Sequence, residues 1–412
     1  MRKLVAIMIV AMMVFAASSV FAAGNEVKTK FGALALGGTV KTGLTFYVGD
    51  EVLDAAAYQA KDRTSDFSFT LNCFVLKFGG WVVDERITYV MNLYAKSNDA
   101  ENMGVQLLDA IVGFHYIPYT GIYVGHMRPM MTYFNSLPVH MFKTIDQPLM
   151  NRMAFPRTRQ TGLNFGLVTP FIDANLGVYN GRQFFPARFP DGAQAPMGNV
   201  TYFDQNTGKD IHFGVIGKPP VDGLKIRANL WYGTPVDEFE NDEGELIAHN
   251  ASVMFINGGV DYLAPFGLTL VAEVLYGNFN WDENDPALNF EDAGDRDYGD
   301  APDLTALTTM SYYFMAGYNF GPMFEVPLEI VARYDYIDPD TENDEDYAVG
   351  YKDAYTDIVA GLNYYIKGYH AMLSLNYTYH GEEWEDVNNK AGDDKQDGIS
   401  NDEVKLQAQV AF

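Results

Sequence analysis

The ten residues Glu403-Val-Lys-Leu-Gln-Ala-Gln-Val-Ala-Phe412 alternate between polar and apolar side chains. Every second residue from Val404 to Phe412 is apolar, and Lys405 and two glutamines stand among them. Successive side chains of a β-strand point to opposite faces, so the stretch predicts a strand with one apolar and one polar face. A strand that faces lipid on one side and water on the other needs this pattern, and a final aromatic residue is typical of the strand that closes an outer-membrane β-barrel.

The N-terminal residues predict a cleaved secretory signal peptide over residues 1–22. Two basic residues, Arg2 and Lys3, precede an apolar stretch that is followed by small residues. A transmembrane anchor is the alternative, but the apolar stretch is shorter than the roughly 20 residues that span a bilayer. Cleavage leaves residues 23–412 as a single barrel domain. Because it removes two of the 28 basic residues against 54 acidic ones, the mature net charge is −28.

The composition predicts that the membrane is crossed by strands. Aromatic residues make up 14% of the chain, with 27 Tyr and 28 Phe, which suits the aromatic girdles of a barrel. After residue 22 no stretch is long and apolar enough for a transmembrane helix, so any membrane span must be a strand. The acidic net charge argues against binding nucleic acid or anionic lipid surfaces.

The single cysteine, Cys73, excludes an internal disulfide framework and a Cys-rich metal site. It lies in phase with Phe67, Phe69 and Val75 in an alternating stretch. We therefore expect Cys73 to be a small apolar side chain that faces lipid, and we favour this over a reactive thiol.

Short turn sequences divide the chain into hairpins, for example at Phe78-Gly-Gly80 and Lys367-Gly368, each flanked by alternating segments. Together with a first strand near 38–48 and a last strand at 403–412, seven hairpins give sixteen strands. An even number is required of a closed single-chain bacterial barrel, and sixteen strands enclose an aqueous channel. The prediction is a 16-stranded antiparallel transmembrane β-barrel, with hairpins near 66–95, 105–128, 161–180, 210–233, 249–279, 308–336 and 355–380.

The longer connections are the predicted outer loops, and the later ones are strongly acidic, as in residues 237–245 and 340–346. Such loops are solvated and self-repelling, or alternatively they bind divalent cations, because Ca²⁺ prefers oxygen ligands. The stretch Asp393-Asp-Lys-Gln-Asp397-Gly398 matches a calcium loop only in part, since Lys395 and Val404 stand at ligand positions.

The third outer loop, near residues 129–160, differs because it is basic and apolar. Six of the twelve arginines lie between residues 128 and 188, and Asp146 is the one acidic residue of this loop. Its many apolar residues, among them Met131 and Phe134, predict that it folds inward and packs on the barrel wall. The predicted constriction residues are Arg128, Lys143, Arg152, Arg157 and Arg159.

Two interpretations of these basic residues remain open. In a narrow passage they focus an electric field that attracts anions. Alternatively, they pair with acidic residues of the wall and only hold the loop in place. Alternation also places basic and acidic side chains on the lumen face of the wall, which predicts a modest preference for anions. The basic wall residues are Arg86, Lys225, Arg227 and Arg333.

The sequence carries no Gly-x-Ser-x-Gly nucleophile elbow, no His-Glu-x-x-His zinc pair and no phosphate loop. We therefore predict that the protein is not an enzyme and needs no cofactor or metal.

Several short motifs resemble the phosphate-selective porin O and P family. They include Gly121-Ile-Tyr-Val-Gly-His-Met-Arg-Pro129, Arg157-Thr-Arg-Gln-Thr-Gly162, Gly177-Val-Tyr-Asn-Gly181 and Ala332-Arg-Tyr-Asp335. The resemblance implies a trimeric 16-stranded outer-membrane channel with an inward third loop whose basic residues draw anions. It does not imply phosphate as the solute, because the family's selectivity depends on clusters of basic residues and the third loop here holds one lysine, Lys143.

The leading hypothesis is a porin of a Gram-negative outer membrane that passes small hydrophilic solutes and leans to anions such as phosphate. Its expected partners are outer-membrane lipid and lipopolysaccharide, small anionic or neutral solutes, and two further copies in a homotrimer. The alternative is a barrel with a plugged lumen, whose acidic loops bind divalent cations or a partner. A barrel enzyme such as a lipase or protease is a third hypothesis, which no triad spacing supports.

Overall fold

The structure, a computed structural model, describes the strands and several of their connections. The described residues are 26–29, 32–48, 51–54, 59–62, 67–99, 102–155, 159–181, 208–234, 236–240, 246–281, 306–338, 341, 354–382 and 402–412. The predicted signal peptide at residues 1–22 lies outside them.

The described residues form twenty strands, all in antiparallel pairs, two short α-helices, a 3-10 turn over Val139–Met141 and a π-helical turn over Met150–Ala154. The strands are β1 (Glu26–Thr29), β2 (Gly32–Tyr47), β3 (Glu51–Asp54), β4 (Gln59–Asp62), β5 (Phe67–Val82), β6 (Asp84–Asp99), β7 (Asn102–Phe114), β8 (Thr120–Met127), β9 (Gln160–Val168), β10 (Ile172–Tyr179), β11 (Asp210–Gly217), β12 (Leu224–Gly233), β13 (Val236–Glu240), β14 (Leu246–Leu263), β15 (Leu268–Trp281), β16 (Ala306–Asn319), β17 (Leu328–Asp338), β18 (Tyr355–Tyr365), β19 (Ala371–Glu382) and β20 (Glu403–Ala411). The helices are α1 (Tyr133–Ser136) and α2 (Gly321–Phe324).

Sixteen of these strands close into one barrel, which confirms the predicted fold class. Each pairs with its neighbours around the ring, and the last strand, β20, pairs with the first long strand, β2, so that Gln409 faces Lys41. The other four are additions to the ring: β1 pairs with β2, β13 pairs with β14, and β3 and β4 form a separate hairpin.

Burial alternates along the strands as a barrel requires. In β12, Leu230 is 41% exposed, whereas its neighbour Trp231 is fully buried. The exposed face of the sheet is rich in large apolar side chains, and the buried face carries both aromatic and charged ones. The first face therefore meets lipid and the second the barrel interior. Among the described residues no helix is long and apolar enough to cross a membrane.

A β-bulge makes the expectation for Cys73 wrong. Pairing of β2 with β5 shifts register between Lys41 and Thr42, and Asn72 is the extra residue of β5. An extra residue reverses the phase of every side chain that follows it. Phe69, before the bulge, is 68% exposed, but Cys73 and Val75, after it, are buried on the interior face.

We expect arginine at Leu230 to impair barrel insertion, whereas arginine at Thr70 should be tolerated. Leu230 faces lipid near the middle of β12, where a charged residue costs roughly 2–4 kcal/mol. Thr70 is half-buried on the interior phase of β5, because its neighbour Phe69 is outward. The measurement is the heat-resistant folded band on a gel after refolding. Equal yields for the two variants would mean that the assigned faces are wrong.

Candidate functional site

The segment between β8 and β9 has a compact local structure. Thr132 precedes α1, and its Oγ1 accepts a 3.1 Å hydrogen bond from the Asn135 N–H, which satisfies a free donor at the helix start. The Asn151 Nδ2 donates to the same hydroxyl over 2.7 Å and to Asn135 Oδ1 over 3.0 Å. A turn of π-helix over Met150–Ala154 is thereby tied to α1. We call residues 128–159 the third-loop segment; residues 156–158 lie outside the described part.

The apolar residues of this segment contact aromatic side chains on the buried face of the barrel wall. Phe134 is fully buried and meets the ring of Tyr313 edge-on at a centroid distance of 5.8 Å. Phe155 meets Trp231 at 5.6 Å and Phe255 at 5.5 Å. A single buried hydrophobic cluster contains residues of both the segment and the wall. The apolar residues of the segment therefore attach it to the wall.

Three of the predicted constriction residues, Lys143, Arg152 and Arg159, are ion-paired with acidic wall residues, and Arg159 is described further below. Lys143 Nζ pairs with Glu329 of β17, whose carboxylate is fully buried and also accepts hydrogen bonds from Asn363 and Tyr365. Arg152 pairs with Asp357 of β18 and keeps about a third of its side chain exposed. Lys143 is therefore neutralised beneath the surface, whereas Arg152 is only partly covered.

Arg227 and Arg333 point into the barrel from the wall, and both lie buried under the segment. Arg333 binds Asp335, and its guanidinium also donates to Thr144 Oγ1 and to the backbone oxygens of Asp146 and Gln147. Arg227 binds Asp261 at 2.6 Å and stacks over the ring of Tyr133. Because a buried guanidinium must be paired, these residues hold the segment in place.

Arg86 and Lys225 lie at the short-turn end of the barrel, away from the segment. Both are exposed, and the Arg86 guanidinium lies 5.8 Å from the ring of Tyr116 in the neighbouring turn. Lys225 shares the inward phase of Arg227 but stands near the start of β12. These two residues are wall residues of the rim and do not take part in a constriction.

Arg128 and Arg159, at the two ends of the segment, belong to a different group of side chains. Arg159 Nε donates to Asp109 Oδ1 over 3.1 Å, and Asn92 Nδ2 donates to Asp109 Oδ2 over 2.6 Å. Asp109, Asn92 and Lys77 are directly opposite one another across β7, β6 and β5. Lys77 is therefore about two strand spacings, roughly 10 Å, from Asp109 along the wall.

Lys41 of β2 lies opposite Cys73, four residues along β5 from Lys77, and its Nζ is 5.3 Å from the centre of the Phe142 ring. We call Lys41, Lys77, Arg128 and Arg159 the basic cluster. Among the described residues, Lys41, Lys77 and Arg128 have no carboxylate within ion-pair distance. Lys77 and Arg128 are half-buried, so both reach water. The cluster thus carries more positive than negative charge, unlike the paired cations at Lys143, Arg227 and Arg333.

Two residues in the segment have pKa values that are lowered by burial and by the positive charges of this cluster. Burial, followed by the charge of Arg159, lowers the pKa of Arg128 to about 10, against the opposing effect of Asp109. Burial, followed by the charges of Lys77, Lys41 and His370, lowers the pKa of His140 to about 4. Arg128 therefore stays charged at neutral pH, and His140 is neutral beside the lysines.

Sequence reasoning did not single out Lys77 as a site residue. The reason is the bulge at Asn72, since extrapolating the lipid-facing phase of Phe69 places Lys77 in lipid. The signal was nevertheless present in the sequence. A lysine on the lipid face costs roughly 2–4 kcal/mol, so Lys77 is expected to face the interior. Cys73, four residues earlier on the same face of the strand, is then expected to face the interior too.

Other predicted features lie outside the described residues. These are Arg157 of the segment, the acidic stretches within 241–245 and 342–346, and the partial calcium motif at 393–398. In the part of the chain that the structure describes, no group of three His, Cys, Asp or Glu side chains is close enough to hold a metal ion.

Comparison with known proteins identifies related sequences and folds. Residues 256–412 match the sequence model of the phosphate-selective porin O and P family. The match covers the C-terminal strands from within β14 to β20 and confirms the resemblance seen in the sequence over that part. A search of curated proteins finds no match.

The barrel resembles outer-membrane porins of Gram-negative bacteria. The outer-membrane channel DcaP of Acinetobacter baumannii is similar over 95% of this chain and 100% of its own, with a TM-score of 0.60 and 11% identity. An anion-selective porin from Comamonas acidovorans matches over 92% of this chain and 100% of its own, with a TM-score of 0.57 and 13% identity. A trimer form of OmpT from Vibrio cholerae matches over 93% and 100%, with a TM-score of 0.55 and 10% identity. At these identities the likeness concerns the fold.

Proposed function

We propose that this protein is an outer-membrane porin: a non-enzymatic, water-filled channel for passive diffusion of small hydrophilic solutes, with a preference for anions. The closed ring of sixteen strands is wide enough for an aqueous lumen. The family match over residues 256–412 and the likeness to outer-membrane porins support a channel.

The third-loop segment narrows the channel in this proposal. Its contacts are with the buried face of the wall, through Phe134 and Phe155 and through the ion pairs of Lys143 and Arg152. A segment held in this way crosses the interior and leaves a passage along the opposite wall. That wall is formed by β2 and β5 to β7. It carries Lys41 and Lys77 of the basic cluster, and Arg128 and Arg159 lie at the two ends of the segment.

The excess positive charge of the basic cluster is the observation that carries the anion preference. Lys77 and Arg128 are half-buried and lack a carboxylate partner among the described residues, so their charge acts on the passage. A confined cleft lined by one sign of charge raises the local concentration of counter-ions. Guanidinium and ammonium groups also replace part of an anion's hydration shell. The solute class is small anions such as phosphate, together with neutral solutes of similar size.

The test is a single-channel recording of the purified, refolded protein in a planar lipid bilayer under a KCl gradient. We expect an open conductance that is linear in voltage and a reversal potential of the sign that chloride preference produces. A silent bilayer, with folded protein present, would contradict the channel and favour the alternative of a plugged barrel whose outer loops bind cations or a partner. A potassium-selective conductance would agree with the proposal of a channel but would contradict the proposed role of the basic cluster in anion preference.

The homotrimer is also a proposal, supported by the trimer form of the similar OmpT barrel. Cross-linking of the refolded protein in detergent tests it, and a product no larger than one chain would contradict it.

A further inference from the structure

A group of six charged side chains lies at the outer ends of β18, β19 and β20, separate from the basic cluster. At its centre is His380, directly opposite Asp357 in the pairing of β18 with β19. The two ring nitrogens each meet a carboxylate: Nδ1 lies 2.6 Å from Asp357 Oδ1, and Nε2 lies 3.4 Å from Glu403 Oε1. Both contacts join neighbouring strands across the wall.

The same two carboxylates hold the cations that attach the third-loop segment. Asp357 also binds Arg152 of the segment, and Glu403 also binds Lys405. Lys405 in turn binds Asp146 of the segment at 2.8 Å. His380 thus connects two attachments of the segment: that of Asp146 to Lys405 on β20 and that of Arg152 to Asp357 on β18.

The charged groups around the His380 ring determine which charge of the imidazole balances them. The carboxylates are Asp357, Glu403 and Asp146, and the permanent cations are Arg152 and Lys405. Asp335 lies opposite Asp357 on β17 but is paired with Arg333. On the outer side, Asp402 accepts the His380 backbone N–H and the Tyr377 hydroxyl. Three inner carboxylates therefore face two permanent cations, and a protonated His380 balances them.

From this geometry we infer that His380 is a positioning residue for the third-loop segment, and that its charge makes the attachment of the segment through Arg152 dependent on pH. A neutral imidazole has one N–H, so it donates to only one of the two carboxylates, whereas the protonated ring donates to both. Loss of the proton leaves a nitrogen lone pair against a carboxylate oxygen and a net negative charge in the group. The carboxylates then repel each other, and the Arg152 attachment loosens. The inference rests on the proposed position of the segment inside the barrel and does not depend on conduction.

Limited trypsin digestion tests the inference without any channel measurement. Trypsin cleaves after Arg152 only when the segment leaves the wall, so the cleavage rate follows the population of the released state. At about pH 7, His380→Gln should be cut after Arg152 about tenfold faster than the unaltered protein, the effect of one lost charge-assisted hydrogen bond. At about pH 10 the two proteins should be cut at the same rate, because both then carry an uncharged side chain.

Two further variants make the outcome decisive. His380→Arg keeps a positive charge at both pH values and should stay protected at both. His115→Gln changes another half-buried histidine, at the short-turn end of the barrel, whose ring contacts Thr88 and Tyr123, and it should behave as the unaltered protein. Comparison at equal pH cancels the pH dependence of trypsin itself. Digestion of His380→Gln at the unaltered rate at about pH 7, or an excess that persists at about pH 10, would overturn the inference.

Discussion

Replacing Lys77 and Arg128 with glutamine is expected to lower the chloride-to-potassium permeability ratio of the channel about tenfold, the lower end of what a cleft of one charge sign provides. Both residues are half-buried, and neither has a carboxylate partner among the described residues, so their charge is not cancelled locally. Glutamine keeps a polar, uncharged side chain that is shorter than lysine or arginine. The measurement is the reversal potential under a KCl gradient.

The matched control is Arg86→Gln combined with Lys225→Gln, which also removes one arginine and one lysine. These residues are exposed at the short-turn rim, where charges are screened within about 8 Å at physiological salt. We expect their loss to leave the permeability ratio nearly unchanged. If the two double variants shift the reversal potential equally, net charge alone sets selectivity and the basic cluster has no special role.

Salt concentration should modulate the same measurement. The predicted outer loops are acidic, so we expect them to repel anions at the mouth of the channel, and this long-range effect grows as salt is lowered. The basic cluster is confined and is screened less. The anion preference of the unaltered protein should therefore weaken at low salt.

Lys143→Met is expected to lower the free energy of unfolding by about 3–5 kcal/mol, because it leaves a buried carboxylate without its cation. The partner, Glu329, is fully buried, and its hydrogen bonds from Asn363 and Tyr365 do not replace a positive charge. The measurement is urea unfolding of the refolded barrel in detergent, followed by tryptophan fluorescence. Adding Glu329→Gln removes the unpaired charge and should recover a large part of the loss.

The control for this prediction is Lys218→Met, which breaks the ion pair of Lys218 with Asp173. That pair spans 2.5 Å, and both side chains are about a quarter exposed. An exposed pair contributes about 0–1 kcal/mol, so little change is expected. A similar loss in both variants, or a double Lys143/Glu329 variant no more stable than the single one, would contradict the assignment of Lys143 as a buried anchor.

These experiments separate two roles that looked alike in the sequence. Lys143, Arg227 and Arg333 are basic residues of the interior whose charge is cancelled by buried partners, so they act on stability and on the position of the segment. Lys77 and Arg128 have no carboxylate partner among the described residues, so in the proposed channel we expect them to act on passing ions. Arg152 lies between the two groups, because it is paired with Asp357 and remains a third exposed.

The sequence by itself determined the barrel, because its evidence is local. Alternation with a period of two residues, short turns and an even strand count need no knowledge of distant contacts, and they predicted all sixteen strands. One predicted turn was misplaced: Phe78-Gly-Gly80 lies inside β5, and the chain turns at Val83 instead. The composition of residues 128–160 likewise marked the third loop as different.

Only the tertiary structure decided which charges are free. The partner of Lys143 lies 186 residues away and that of Arg152 lies 205 residues away, so no local pattern distinguishes a paired cation from an unpaired one. One bulge at Asn72 also reversed the faces of Cys73 and Lys77, because a single extra residue inverts a period of two. Strand identity depends on neighbours in the chain, whereas charge compensation depends on neighbours in space.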